Sequence, residues 1–110
     1  MVTIHQIENK EQYDSLINSP DGCVLKISAE WCQPCKILTR TIENLDVEKV
    51  GKVFFAELDA DAEFADDITS QLRVRGIPVL IYFKNGEEIH RTVGAVGSQE
   101  IYNGLEKLNV

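Results

Sequence analysis

Two cysteines set two residues apart, Cys32 and Cys35, fall where an apolar run ends and a helical pattern begins. The run is Val24-Leu25-Lys26-Ile27, and the junction reads Trp31-Cys32-Gln33-Pro34-Cys35-Lys36. A strand that feeds a Cys-x-x-Cys into a first helical turn puts sulfur where backbone N–H groups and the helix dipole stabilise an anion. The thiolate, not the thiol, is the nucleophile of sulfur exchange, so the placement predicts a reactive dithiol. It also demands a strand–helix unit at that point, and the rest of the chain can be read outward from it.

Alternation in residues 2–7 predicts a first strand. Asn9 is placed to cap a helix with Gln12 three residues on, a variant of the capping box. Tyr13, Leu16 and Ile17 follow at helical spacing, and Pro20-Asp21-Gly22 should end that helix. Residues 23–28 read as a strand apolar enough to be central. Beyond the cysteines, Leu38, Ile42 and Leu45 mark one face of a helix that Gly51 should follow. Residues 53–58 form the next strand, and Asp61 is expected to cap a helix carrying Phe64, Ile68 and Leu72. Val79-Leu80-Ile81-Tyr82-Phe83 is a fourth strand, and Asn85-Gly86 is a hairpin signal because both turn residues must accept positive φ. Residues 88–93 would return antiparallel. Ser98 is expected to cap a last helix with Ile101, Leu105 and Leu108 on its inner face. The order is βαβαβαββα, which implies an α/β architecture: a mixed sheet of about five strands flanked by four helices.

A chain of 110 residues is expected to form one domain, residues 1–110, with a sizeable core. Its 44% hydrophobic and 26% charged residues argue against disorder. A net charge of −7 argues against nucleic acid or an anionic membrane as main partner, since both select basic surfaces. The first eight residues have neither a basic nor an apolar stretch, so no signal peptide is expected. No apolar run approaches the ~20 residues of a membrane span. Three cysteines cannot all pair within one chain, and such sparse use fits a reducing, cytoplasmic location; a monomer is expected.

A Cys-x-x-Cys beside a βαβ pattern is a known mark of thioredoxin-like redox proteins. The chain resembles thioredoxins over essentially its whole length. Residues 29–36, Ala-Glu-Trp-Cys-Gln-Pro-Cys-Lys, are similar to that family's active-site segment, with Gln33 where glycine is usual. Val74-Arg75-Gly76-Ile77-Pro78 resembles the family segment that ends in a cis-proline facing the dithiol. Phe83-Lys84-Asn85-Gly86-Glu87 resembles the family hairpin, and Val93-Gly94-Ala95 its substrate-groove loop. Four such segments in order carry the resemblance.

The resemblance implies a protein-disulfide oxidoreductase with no cofactor beyond a redox-active Cys32–Cys35 disulfide. It implies a separate, thioredoxin-reductase-like electron donor and disulfide-containing protein substrates. Cys32 is expected to be the exposed, attacking sulfur and Cys35 the resolving one. A free cysteine near pKa ~8.5 is only about 3% thiolate at neutral pH, whereas one near ~7 is about half ionised. Pro34 suits a first helical turn, where its missing N–H costs nothing. Trp31, Ile77, Val93 and Ala95, with Gly94 and Pro78, would form an apolar collar for the substrate backbone.

The departures from the family are specific. Ser28 stands where many thioredoxins have a second tryptophan, and Arg40 where proline usually kinks the active-site helix, so that helix is expected to run straighter. Lys26 occupies the place of the family's buried aspartate and Glu57 that of its lysine partner, so a charge-reversed pair is expected beneath the dithiol. Each buried charge would need the other. A unit charge ~8 Å from a thiolate is worth about 2 kcal/mol at an effective dielectric of ~20. A cation there favours thiolate and hence the reduced form, an effect that Glu57 partly cancels, so a more acidic and somewhat less reducing dithiol is expected. The sequence equally allows a Lys26 that loses its proton on desolvation and acts as a neutral base toward Cys35.

Other readings of the same residues stand beside this one. As a staple, the cysteine pair would contribute only ~2 kcal/mol at best, because its loop is so short. As half of a zinc site it lacks partners, since only Cys23, His5 and His90 remain, scattered along strands, so no metal site is expected. Cys23 reads as a small buried apolar residue. The collar would equally serve a thioredoxin-fold interaction module, a subunit of a larger assembly in which the dithiol is incidental.

Overall fold

A computed structural model describes residues 1–109. Its sheet has five strands: β1 (Ile4–Gln6), β2 (Cys23–Ser28), β3 (Phe54–Asp59), β4 (Val79–Lys84) and β5 (Glu87–Val93). Their order across the sheet is β1-β3-β2-β4-β5. The first three run parallel and the β2/β4 and β4/β5 pairs antiparallel, which makes the sheet mixed, as the sequence implies. The helices are α1 (Lys10–Ile17), α2 (Gln33–Glu43), α3 (Val47–Val50), α4 (Ala65–Gln71) and α5 (Ser98–Leu108).

β2 is the middle of everything. All six of its residues are buried, and β3 and β4 flank it in register. Alternation along the strands divides the core into two layers. Val24, Phe55, Leu80 and Tyr82 pack with Leu38, Ile42, Ile101 and Leu105 on the α2/α5 face. Cys23, Leu25, Ile27, Leu58 and Ile81 pack with Tyr13 and Ile68 on the α1/α4 face.

The local signals acted largely as expected. Asn9 caps α1 through Oδ1, which accepts the Gln12 N–H at 2.9 Å, while Gln12 Oε1 accepts the Glu8 N–H at 2.8 Å. Asn85 (φ 52°) and Gly86 (φ 82°) make the β4–β5 turn. That turn is tied to the end of α1, because the Gly86 N–H donates to the Ile17 carbonyl at 2.9 Å.

Four expectations need correction. Among the described residues there are five helices rather than four, because the run carrying Leu38, Ile42 and Leu45 is two elements. Asn44 ends α2, its side-chain amide donating to the Arg40 carbonyl, and Asp46 starts α3 by accepting the Glu48 N–H. Leu45 is buried between them. The first strand is only three residues long, since β1 pairs with β3 alone at the sheet edge. Asp61 does not cap α4, which starts after Phe64 without a side-chain cap. The N–H of Asp61 is instead taken by Asp59 Oδ1 at 2.9 Å in a tight turn. Ser98 is the first residue of α5 rather than its cap, a place held by Gly97.

Cys23, at the start of β2, has no exposed surface, and burial pushes its thiol up to about 12. In the reduced native protein it should therefore resist iodoacetamide while the Cys32/Cys35 pair labels. Cys23→Ala should cost about 1–2 kcal/mol, the usual range for a small deletion in a core. Mass-resolved labelling and urea unfolding check both; rapid native labelling of Cys23 contradicts the inert-core assignment.

Candidate active site: a disulfide at a helix N-terminus

β2 ends at Ser28, and the chain turns at once, the Cys32 N–H donating to the Ala29 carbonyl at 3.2 Å. Cys32 has extended backbone (φ −93°, ψ 108°) and is the N-cap of α2. Its Sγ accepts the Cys35 N–H at 3.3 Å, so one orphan donor of the first turn points at this sulfur. Gln33 and Pro34, both exposed, form the first turn, where the proline removes no needed hydrogen bond. Cys32 and Cys35 are joined as a disulfide, their Cα atoms 5.3 Å apart. Cys32 was expected to be exposed, yet both residues are nearly closed off, at 5% and 2%. Ala29 and Ile77 pack over the pair and account for this. What distinguishes Cys32 is the helix N–H it receives.

Of the other expected groove residues, Ile77 packs against this disulfide. The Ile77–Pro78 peptide is cis. Gly94 adopts φ 90°, a left-handed conformation that favours glycine, and its N–H donates to the Pro78 carbonyl at 2.8 Å. That bond holds the loop of Val93, Gly94 and Ala95 against the proline segment. Trp31 and Val93 are each 70% exposed, and Ala95 is exposed as well. Trp31 is held by a residue the sequence reading assigned elsewhere: its indole Nε1 donates to Asp61 Oδ2 at 2.8 Å.

On the α2 side of β2 lies the charged pair. Lys26 and Glu57 are register partners on adjacent parallel strands, and Lys26 Nζ stands 2.5 Å from Glu57 Oε2. Lys26 is 1% exposed and Glu57 19%. Ser28 Oγ donates to the same oxygen at 2.6 Å, and Gln6 Nε2 donates to Oε1 at 2.7 Å. Gln6 was not anticipated; only the register of the edge strand, Gln6 opposite Glu57, brings it there. Burial opposes the charge on Glu57, but the hydrogen bonds from Lys26, Ser28 and Gln6, with the charge of Lys26, hold its carboxyl below the usual range. A cavity of about 440 Å³ reaches from this network to Cys35 and Thr39.

His5 and His90 lie apart from the disulfide. His5 meets the Phe54 ring edge-on at 5.7 Å, and His90 tilts over Tyr82 at 5.3 Å. Among the described residues no cluster of His, Cys, Asp or Glu could hold a metal ion. No helix among them is long and apolar enough to cross a membrane.

A mixed five-stranded sheet whose central strand leads a Cys-x-x-Cys disulfide to a helix N-terminus, with Ile77 of a cis-proline segment packed on it, is the arrangement of the thioredoxin fold. The thioredoxin family model matches residues 4–107, and the chain belongs to the thioredoxin family. Thioredoxin-2 of Saccharomyces cerevisiae is 36% identical over 86% of this chain and 88% of its own length. The M-type chloroplastic thioredoxin of Spinacia oleracea is 29% identical over 94% of this chain. The chain spans 56% to 64% of the length of its chloroplast and mitochondrial relatives. The crystal structure of Malassezia sympodialis thioredoxin superposes with a TM-score of 0.85, covering 100% of this chain and 94% of that one at 23% identity.

The ion pair has a measurable consequence for stability. A carboxyl whose pKa is lowered by folding contributes stability above its unfolded value of 4.5, and the contribution is lost as pH falls below that. Glu57→Gln should lower stability by about 3 kcal/mol at neutral pH, the low end for breaking a buried pair, because Glu57 keeps some contact with water. Below pH 4.5 its unfolding free energy should decline less steeply than that of the wild type. Urea titrations across the acid range check both; equal acid slopes contradict the assignment.

Proposed function

We propose that this chain is a protein-disulfide oxidoreductase: an electron carrier that reduces disulfides in other proteins and is recharged by a separate, thioredoxin-reductase-like donor. The observation that carries the reading is the Cys32 sulfur seated as N-cap of α2, bonded to Cys35, with the cis-Pro78 loop packed beside it. Family membership supports the same activity. In the reduced protein the Cys32 thiolate, favoured by the helix N–H groups, attacks a substrate disulfide. A mixed disulfide forms and one substrate thiolate leaves. Cys35, one turn on, then attacks Cys32 Sγ, which restores the internal disulfide and releases the second substrate thiolate. Two electrons pass to the substrate, and no further cofactor is needed.

Trp31, Ile77, Val93 and Ala95 supply an apolar collar for the substrate, while Gly94 and Pro78 shape the groove between them. Lys26 and Glu57, with Gln33 and Pro34 of the first helical turn, tune the dithiol. The proposed location is the cytoplasm, read from the sparse cysteines, and the proposed state a monomer. Relatives include chloroplastic and mitochondrial proteins by name, so membership of the family does not itself select a compartment. A second reading rests on the exposed Trp31 and Val93, an apolar surface that would bind a fixed partner whatever the state of the sulfurs.

Serine variants separate the two. Cys32→Ser should eliminate reduction of a model protein disulfide such as insulin, and Cys35→Ser should accumulate a covalent mixed disulfide, visible by mass spectrometry. Trapping by Cys32→Ser instead reverses the assignment of roles. A biological role that survives both substitutions favours the interaction module.

The tuning is tested by equilibrium potential against a glutathione or dithiothreitol couple. Removing a cation that favours thiolate destabilises the reduced form, so Lys26→Met should be more reducing than wild type by about 30 mV, equivalent to a tenfold change in the equilibrium constant. An unchanged potential means that Lys26 is not coupled to the dithiol.

A further inference from the structure

The cavity behind the disulfide is lined by Cys35 and by the buried charged pair, on the side of the sheet covered by α2. Cys35 is the sulfur without a helix N–H in this arrangement: the first-turn donor goes to Cys32, and it is Cys35's own N–H that is used. If Cys35 resolves the mixed disulfide it must lose a proton while 2% exposed. The cavity is where that proton has room to leave.

We infer that Lys26 is the positioning residue for this step: its ammonium favours the Cys35 thiolate, and the proton passes to solvent through the cavity rather than to Glu57. This rests on the disulfide-reducing reading above and deepens it. Two observations set the direction. Glu57 already accepts three hydrogen bonds, from Lys26 and Ser28 on Oε2 and from Gln6 on Oε1, and they stabilise its ionised form, which disfavours taking a proton from a thiol. The two charges of the pair also sit in different surroundings. Lys26 is 1% exposed, so its field reaches the cavity weakly screened, whereas Glu57 at 19% lies toward the wetter end.

The other charged groups facing the cavity are Glu30 before α2, Lys36 on α2 and Asp59 at the end of β3, all exposed and screened by solvent. From β4, the strand on the other side of Lys26, the register partner is the apolar Leu80. Ser28 matters by its size as well as its bond. A small hydroxyl at this position leaves the network open to the cavity, which it also lines.

The chemistry balances without another reagent. With an aromatic disulfide as substrate, the Cys32 thiolate forms a mixed disulfide and releases one coloured aromatic thiolate. The Cys35 thiolate then attacks Cys32 Sγ, the internal disulfide forms, and a second coloured thiolate leaves. The Cys35 proton goes to water. The first release reports attack and the second reports resolution, so the two steps can be followed separately by stopped flow.

A shift of one pKa unit changes the thiolate fraction about tenfold below the pKa. Lys26→Met should therefore slow the second release about tenfold near neutral pH and move its pH midpoint up by about one unit. The first release should change far less. Lys26→Arg, which keeps the charge, should restore the wild-type midpoint. Glu57→Gln should resolve at least as fast as wild type. The double variant Lys26→Met/Glu57→Gln leaves no unpaired buried charge, so it guards against a folding failure of the single substitution and should show an upward shift too, smaller than that of Lys26→Met because the opposing carboxylate is also gone.

A second release whose pH profile is unmoved in Lys26→Met and in the double variant overturns the inference. So does a Glu57→Gln variant slowed as much as Lys26→Met, which would make the carboxylate the base. A reduced wild type that gives no first release at all overturns the disulfide-reducing reading itself.

Discussion

The complete burial of β2 is the constraint from which the rest follows. A strand held in register by β3 on one side and β4 on the other has no freedom to slip, because a one-residue shift would exchange its two faces. Its last residue, Ser28, is therefore fixed, and so is the turn through Ala29 that starts α2. The dithiol inherits that rigidity. A nucleophile on such a junction is held by strand and helix rather than by a mobile loop, which suits a site that must repeat one geometry in every cycle.

Burial of β2 also creates its main difficulty. Period-two alternation puts Lys26 on the same face as Val24, under α2, where an isolated ammonium would be very costly. Parallel pairing solves this locally, since β3 presents Glu57 at the matching position and β1 presents Gln6 beyond it. Buried ion pairs are seldom a net source of stability compared with an apolar pair of similar size. The reason to look for here is electrostatic control of the neighbouring sulfurs, because the network lines the same cavity as Cys35.

The side that carries the proposed collar is built differently. Its parts come from separate connections: the turn before α2, the segment entering β4, and the loop after β5. They are held together by single directional bonds, Gly94 to Pro78 and Trp31 to Asp61. Two large apolar side chains, Trp31 and Val93, stay exposed as a result. Exposed apolar side chains of this kind are suited to contact with another polypeptide.

Much of this was legible in the amino-acid order. The Cys-x-x-Cys after an apolar run, the Asn9 cap with Gln12 and the Asn85-Gly86 turn are local signals. Backbone sterics and short-range hydrogen bonds decide them within a few residues, and the structure follows them closely. The Lys26–Glu57 pair was legible only through the resemblance to thioredoxins, since its two residues lie 31 positions apart. What only tertiary structure decided lies where a side chain had two competing uses. Asp61 has the spacing of a helix cap, but the fold brings the Trp31 indole within hydrogen-bond reach, and that partner is thirty positions away in the chain. Leu45 continues a helical stripe, yet Asn44 and Asp46 cap on either side of it and divide the helix. Gln6 carries no signal until β1 takes its register against β3. Cys32 is closed off because Ile77 packs over it from a distant loop. Local periodicity and turn chemistry act on neighbours in sequence, whereas exposure, register and long-range partners are properties of the assembled sheet.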